Sequence, residues 1–190
     1  MFAVLTILIF PFFHFFSFIP GILFLFSLYF FRNPKRNIPE SDELVLSPAD
    51  GKVLSVDTQY EEPLMGGQCI KVSIFLSLLN VHLNRSPVKG KISYRQYRPG
   101  KYLPAFKSHA SEINEKNTIG IETDRGMFMV SQITGFIARR IKCYVNPGEM
   151  LKQGQHFGII VFGSCTEILL PDVYKRQIYI YVELFGNVPK

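Results

Sequence analysis

Two patterns of apolar residues divide the chain. From Met1 to Phe31 apolar side chains follow one another almost without a break, and no Lys, Arg, Asp or Glu occurs. From Leu44 onward they come in short runs separated by Gly, Pro and Asn. A run of the first kind is long enough to cross a hydrocarbon layer of about 30 Å. Pro11 and Pro20 interrupt it, so one kinked span and a shallow re-entrant hairpin both stay open. A cleaved signal peptide fits less well, because no basic stretch precedes the run and no small-x-small site follows it. The short runs read as strands at 44–46, 52–56, 70–76, 91–97, 118–123, 127–133, 142–145 and 157–162, with "PADG", "MGG", "RPG", "TDRG", "NPGE" and "KQGQ" as turns. Helix is confined to one short piece around 104–114, and "VNPGEMLKQGQHFG" has the look of a hammerhead-like turn. The predicted fold is mainly β: a barrel-sandwich-like domain over 32–171, preceded by an apolar membrane segment over 1–31.

One run does not fit the pattern. In "GIIVFGSCTEILLP", Gly158 to Pro171, the pair Gly163-Ser164 falls in the middle of what otherwise reads as a buried strand. Gly weakens a strand, and its ordinary meaning there is a bulge or a close backbone approach.

Charge adds a direction. Arg32, Lys35 and Arg36 cluster where the apolar run ends, which puts the following domain on the cytoplasmic face and favours anionic headgroups. All 21 Lys and Arg and all 15 Asp and Glu follow Phe31, so the net charge of +6 belongs to the domain. Without long basic runs or aromatic-basic repeats, a lipid surface is a more economical partner than nucleic acid. Cys69, Cys143 and Cys165 show no CxxC or Cys/His spacing, so neither a disulfide framework nor a metal site is expected.

Three stretches could carry chemistry. Asp50 lies in "LSPADGKV", His82 in "NVHLNRSPVKG", and Ser164 follows Gly163. Taken singly, Asp50 suits an Asx turn and His82 a packed histidine. Together they supply a hydroxyl, an imidazole to take its proton and a carboxylate to steady the ring. "FGSCT" lacks the G-x-S-x-G elbow, so a serine hydrolase fits poorly. A non-catalytic, membrane-anchored barrel-sandwich binding module, with Gly163-Ser164 as a bulge, is the other alternative.

"FFRNPKR", "LSPADGKV", "NVHLNRSPVKG", "NEKN", "ITGFIARRI" and "GQHFGIIVFGS", in this order, resemble the short, membrane-associated form of phosphatidylserine decarboxylase. The resemblance runs from about Phe30 to Pro171. It implies a proenzyme that cuts itself at the Gly163-Ser164 bond into two chains and turns Ser164 into a pyruvoyl group. His82, oriented by Asp50, would take the hydroxyl proton. The pyruvoyl group would then form a Schiff base with phosphatidylserine, and His82 would protonate the product, phosphatidylethanolamine. The expected partners are the phospholipid substrate and the membrane, with the domain on its cytoplasmic side; a homo-oligomer stays open, as does an ether-lipid substrate. Arg85, Arg139 and Arg140 are equally consistent with binding a headgroup phosphate and with structural roles. His156, near the cleavage strand, reads as a surface residue. Two features depart from the family: Cys165 stands where Arg, Ser or Thr is expected, and residues 172–190 replace the closing strand and turn. Asp172 to Gln177 is a hexapeptide that a common sequencing-library adapter encodes, so the tail reads as a cloning or assembly artefact.

Overall fold

A computed structural model describes residues 4–5, 7, 18–38, 44–61, 64–104, 110–136, 140–161 and 164–172. Residues 1–35 and 36–190 form two compact units. In the first, helix α1 spans Phe18–Phe30 and is apolar on all sides. Pro20 lies in its first turn, where the missing N–H would have had no helical partner, so this proline starts the helix and does not break it. At the other end Arg32 folds back: its Nη1 donates to the Tyr29 carbonyl at 2.8 Å, and its guanidinium lies 3.8 Å from the Tyr29 ring centroid. Thirteen residues rise only about 20 Å, and no helix among the described residues is long and apolar enough to cross a membrane. Pro11 lies outside those residues, as does the 172–190 tail beyond Asp172.

The second unit is built from antiparallel strands. They are β1 (Lys52–Glu61), β2 (Gly67–Leu76), β3 (Leu83–Arg85), β4 (Gly90–Arg98), β5 (Lys116–Thr123), β6 (Gly126–Thr134), β7 (Arg140–Cys143), β8 (Met150–Leu151), β9 (His156–Val161) and β10 (Ser164–Pro171). Seven form one sheet in the order β1-β2-β10-β6-β5-β4-β8, and three form a second, β3-β9-β7. The helix expected around 104–114 is one turn, α2 (Ala110–Ile113), with 105–109 outside the described residues. Residues 44–46 make no strand; the Leu46 N–H donates to the Pro87 carbonyl at 3.0 Å. The hammerhead-like stretch is two reverse turns on either side of β8, closed by Glu149 N–H to Asn146 O at 3.2 Å and Gln155 N–H to Lys152 O at 3.1 Å.

The run from Gly158 to Pro171 is not one strand with a glycine in its middle. It is two strands in two sheets: β9 ends at Val161 in the small sheet, and Ser164 opens β10 in the large one. Alternation then assigns the faces of the large sheet. Ile70, Val72 and Ile74 of β2, Ile168 and Leu170 of β10, Phe128 and Val130 of β6, and Ile119 and Ile121 of β5 share one face and are fully buried. Phe157 of β9 joins the same core, so the small sheet lies over this face. Each such side chain contributes about 1.5–3 kcal/mol over an exposed one. Ile168→Ala is expected to lower unfolding stability by about 2–5 kcal/mol, against less than about 0.5 kcal/mol for the exposed Val56→Ala. Equal midpoints for the two variants in urea titrations followed by circular dichroism would contradict this assignment of the core.

Candidate active site

The buried face of the large sheet changes character along its length. Where Ile168, Val130 and Ile119 lie side by side it is apolar. Two residues further along each strand it carries Thr166, Gln132 and Asn117. One step beyond, Ser164 stands opposite Thr134 on β6 and Leu76 on β2. The amides form a directed chain: Asn117 Nδ2 donates to Gln132 Oε1 at 3.0 Å, Gln132 Nε2 to Asn84 Oδ1 at 2.9 Å, and Asn84 Nδ2 to Thr166 Oγ1 at 3.0 Å. Asn84 belongs to β3, so this chain joins the two sheets. Gly158 of β9 makes room for it, since a Cβ there would stand 2.6 Å from Gln132 Nε2. Ser164 is 0% exposed, and its Oγ has no hydrogen-bond partner among the described residues. A buried hydroxyl left in that state costs about 1–3 kcal/mol; Asn117 Oδ1 and His156 Nε2 share it among the described residues.

His82 enters from the β2–β3 turn. Asn80 closes that turn, its Oδ1 accepting from the Ser77 N–H at 2.8 Å and from Ser77 Oγ at 2.7 Å. The Asn80 carbonyl then lies 3.0 Å from His82 Nδ1. A carbonyl only accepts, so Nδ1 carries the proton and Nε2 is the ring's acceptor. The ring is 1% exposed. His82 and Asn84 share one side of the chain, as Ser164 and Thr166 share one face of β10. The Asn84–Thr166 bond therefore has His82 and Ser164 each one two-residue step away, about 7 Å along its own chain.

Asp50 reaches the same end of the sheet by another route. Its neighbour Gly51 packs so closely on β2 that a Cβ would collide with the Phe75 carbonyl, and the next β2 residue, Leu76, is the register partner of Ser164. Pro48, two residues earlier, accepts from Arg85 N–H at 3.0 Å and from Asn84 Nδ2 at 3.4 Å. The Asp50 carboxylate is ion-paired with Arg36. Arg36 is thus engaged inside the domain, a different role from the headgroup contact expected of it. Arg85 and His156 face one another across β3 and β9, with Arg85 Nη1 donating to the Gly154 carbonyl at 3.2 Å. Burial, then the charge of Arg36, lowers the Arg85 pKa, and burial, then Arg85, lowers that of His156. His156 is half-buried, not the surface residue expected. Gly163 and Arg139 lie outside the described residues.

A cleft of about 480 Å³, lined by Lys91, Asp124, Arg125 and Met150 among others, opens at the β5–β6 turn. That is the opposite end of the sheet from Ser164, and neither Asp50 nor His82 lines it. Cys165 is also separate from the site. It points to the other face of β10, between Ile133 and Phe75, and burial, followed by the charge of Glu167, pushes its thiol up to about 12. Beside Ser164 in sequence, it is neither on the same face nor a thiolate.

Three outcomes follow from this geometry. Iodoacetamide at pH 8.5 should modify the half-buried Cys143 and spare Cys165 until urea unfolds the chain, read by peptide mass spectrometry; early modification of Cys165 contradicts its placement. Because the unfolded thiol ionises near 9.0 and the folded one near about 12, the unfolded chain holds fewer protons between those values. This contribution to stability is therefore constant below pH 9.0 and falls as pH rises through the window. Asn84→Leu removes the link between Gln132 and Thr166 and should cost about 1–3 kcal/mol for each group it strands, measured by the urea midpoint; an unchanged midpoint counts against the amide chain.

The phosphatidylserine decarboxylase family model matches residues 23–182. The phosphatidylserine decarboxylase proenzyme of Carboxydothermus hydrogenoformans is 58% identical over 150 residues, covering 79% of this chain and 70% of that protein. That of Symbiobacterium thermophilum is 49% identical over 150 residues, covering 78% and 70%. That of Paraburkholderia xenovorans is 45% identical over 175 residues, covering 89% and 80%. Ser164 opens a central strand and not a strand-to-helix elbow, which removes the support for a serine hydrolase. With the family model spanning most of the sequence and relatives of this similarity, the chain belongs to the phosphatidylserine decarboxylase family.

Proposed function

We propose that this chain is a proenzyme that cuts itself between Gly163 and Ser164, converts Ser164 to a pyruvoyl group and then decarboxylates phosphatidylserine to phosphatidylethanolamine. The observation that carries the reading is Ser164 at the start of β10, fully buried and with its hydroxyl unpartnered among the described residues. His82 Nε2 accepts the Oγ proton as Oγ attacks the carbonyl carbon of residue 163. The 163–164 C–N bond breaks, the proton passes to the leaving amine, and an ester joins the two pieces. Removal of the Ser164 α-proton expels the ester oxygen, which leaves a carboxylate on residue 163 and dehydroalanine at 164. Its imine tautomer takes up water and loses ammonia, leaving a ketone.

The site fits that group. Conversion exchanges CH2OH for CH3, removing the orphaned hydroxyl from a fully buried position beside Leu76 without adding bulk. The pyruvoyl group supplies an electrophile for the substrate amine and a sink for the electron pair released when carbon dioxide leaves. The rest falls to the chain. His82, its tautomer held by the Asn80 carbonyl, returns a proton to the product carbon from Nε2. Asp50 steadies the imidazolium that forms on His82, and its ion pair with Arg36 fixes the carboxylate. Burial of Ser164 excludes water during the ester stage. The apolar residues 1–31 hold the domain to the cytoplasmic side of the cell membrane, where a diacyl substrate is within reach.

Intact mass of the chain expressed in membranes tests the reading. Two pieces are expected, residues 1–163 and 164–190, the second lighter by one ammonia than hydrolysis predicts. Ser164→Ala should stay whole, and His82→Ala should slow cutting by about 10²–10⁴-fold. A single mass shared by the parent and S164A chains overturns the proposal.

A further inference from the structure

The two most exposed apolar loop residues of the second unit, among those described, lie at the end of the large sheet that holds Ser164, while the opposite end exposes Met150 of β8 and Tyr144 after β7. β2 and β6 are both antiparallel to β10, so they run in the same direction and both finish beside Ser164. Leu79 lies three residues beyond Leu76, and Phe136 two beyond Thr134. Leu79 is 64% exposed and Phe136 65% exposed, in connections where Gly, Asn, Asp and Ser are the ordinary residues. The β5–β6 turn at the other end of the sheet carries Asp124 and Arg125 instead. Two exposed cations frame the apolar tips. Lys101 follows β4, which ends at this edge with Arg98 opposite Lys116. Arg140 opens β7 opposite Val161, the last residue of β9. Glu112, within α2, is an exposed carboxylate on the segment that leads into β5.

Apolar side chains on the two loop tips either side of β10, flanked by cations, match an anionic lipid interface in both hydrophobicity and charge. We infer that this rim docks on an anionic phospholipid bilayer: Leu79 and Phe136 enter the boundary between headgroups and acyl chains, and Lys101 and Arg140 lie over the headgroups. The catalytic domain thus has a membrane contact of its own, separate from residues 1–31, and it turns the Ser164 end of the sheet toward the lipid. The inference rests on the lipid-decarboxylase reading of the site, but its test does not depend on cutting.

The chain contains no Trp, so single reporters are unambiguous. Leu79→Trp, Phe136→Trp and, at the far end of β1, the 66% exposed Tyr60→Trp are placed one at a time in the full chain carrying Ser164→Ala. Each is reconstituted into vesicles of phosphatidylcholine and phosphatidylserine, with and without acyl-chain bromine. Emission from positions 79 and 136 should be blue-shifted and quenched at least twofold by the brominated lipid, with position 60 unchanged. Lys101→Glu with Arg140→Glu should weaken that quenching. Equal quenching at all three positions means that residues 1–31 merely tether the domain, and absence of quenching at both 79 and 136 means that the rim stays in water. Either result overturns the inference and leaves the self-cutting proposal standing on its own mass measurement.

Discussion

The two-sided pairing of β10 is the constraint on which the rest depends. Hydrogen-bonded to β2 along one edge and to β6 along the other, the strand has no freedom to slip: a shift of one residue would turn Ile168 and Leu170 out of the core and bring Cys165 and Glu167 in. The register that buries the aliphatic residues therefore also aims Ser164. Ser164 needs no strained elbow to be held in place, because hydrophobic burial further along the same strand fixes its direction. The cost of holding at one end a hydroxyl that has no partner among the described residues is offset by the apolar half of the same face.

Glu167 shows what the opposite face does with polar groups. There Lys116 Nζ lies 3.0 Å from its Oε2 and Ser73 Oγ 3.5 Å from its Oε1, while Thr118 and Ser131 pair at 2.8 Å. On the buried face Asn84, Gln132, Asn117 and Thr166 are joined in sequence, and Ser164 stands just beyond. Glu167 is engaged at both carboxylate oxygens, whereas Ser164 Oγ and, at the far end of the amide chain, Asn117 Oδ1 have no hydrogen-bond partner among the described residues. Glu167 and Ser164, three residues apart on one strand, thus face opposite ways into different surroundings.

Much of this was legible in the sequence. Alternation and turn residues located β1, β2, β4, β5, β6, β7 and β9, and the motif order pointed to Asp50, His82 and Ser164. β3 and β8 have three and two residues, too few for any period to show. The change of sheet between Val161 and Ser164 was hidden because two buried strands joined end to end give one continuous apolar run. Asn84, Gln132, Asn117 and Thr166 escaped notice for a related reason: in an alternating strand a polar residue reads as solvent-facing, and only the register places these four inward. The repeated polar choice at aligned positions of β5, β6 and β10 was the available signal, but aligning them requires knowing the pairing. The partner of Arg36 likewise depends on a contact that sequence spacing does not express.

The junction between β9 and β10 has a consequence for the life history of the molecule. While the backbone is continuous, β10 is delivered to its slot by a connection of two residues, and closing so short a loop carries little entropic cost. The proposed cut would sever that connection and leave the C-terminal piece held only by its neighbours, and recovering it from solution would be a bimolecular event with the full loss of translational freedom. Folding would then have to come before severing. The intact backbone serves as its own assembly template and a cut molecule would not, so a severed copy that unfolded would have lost the instructions for its return.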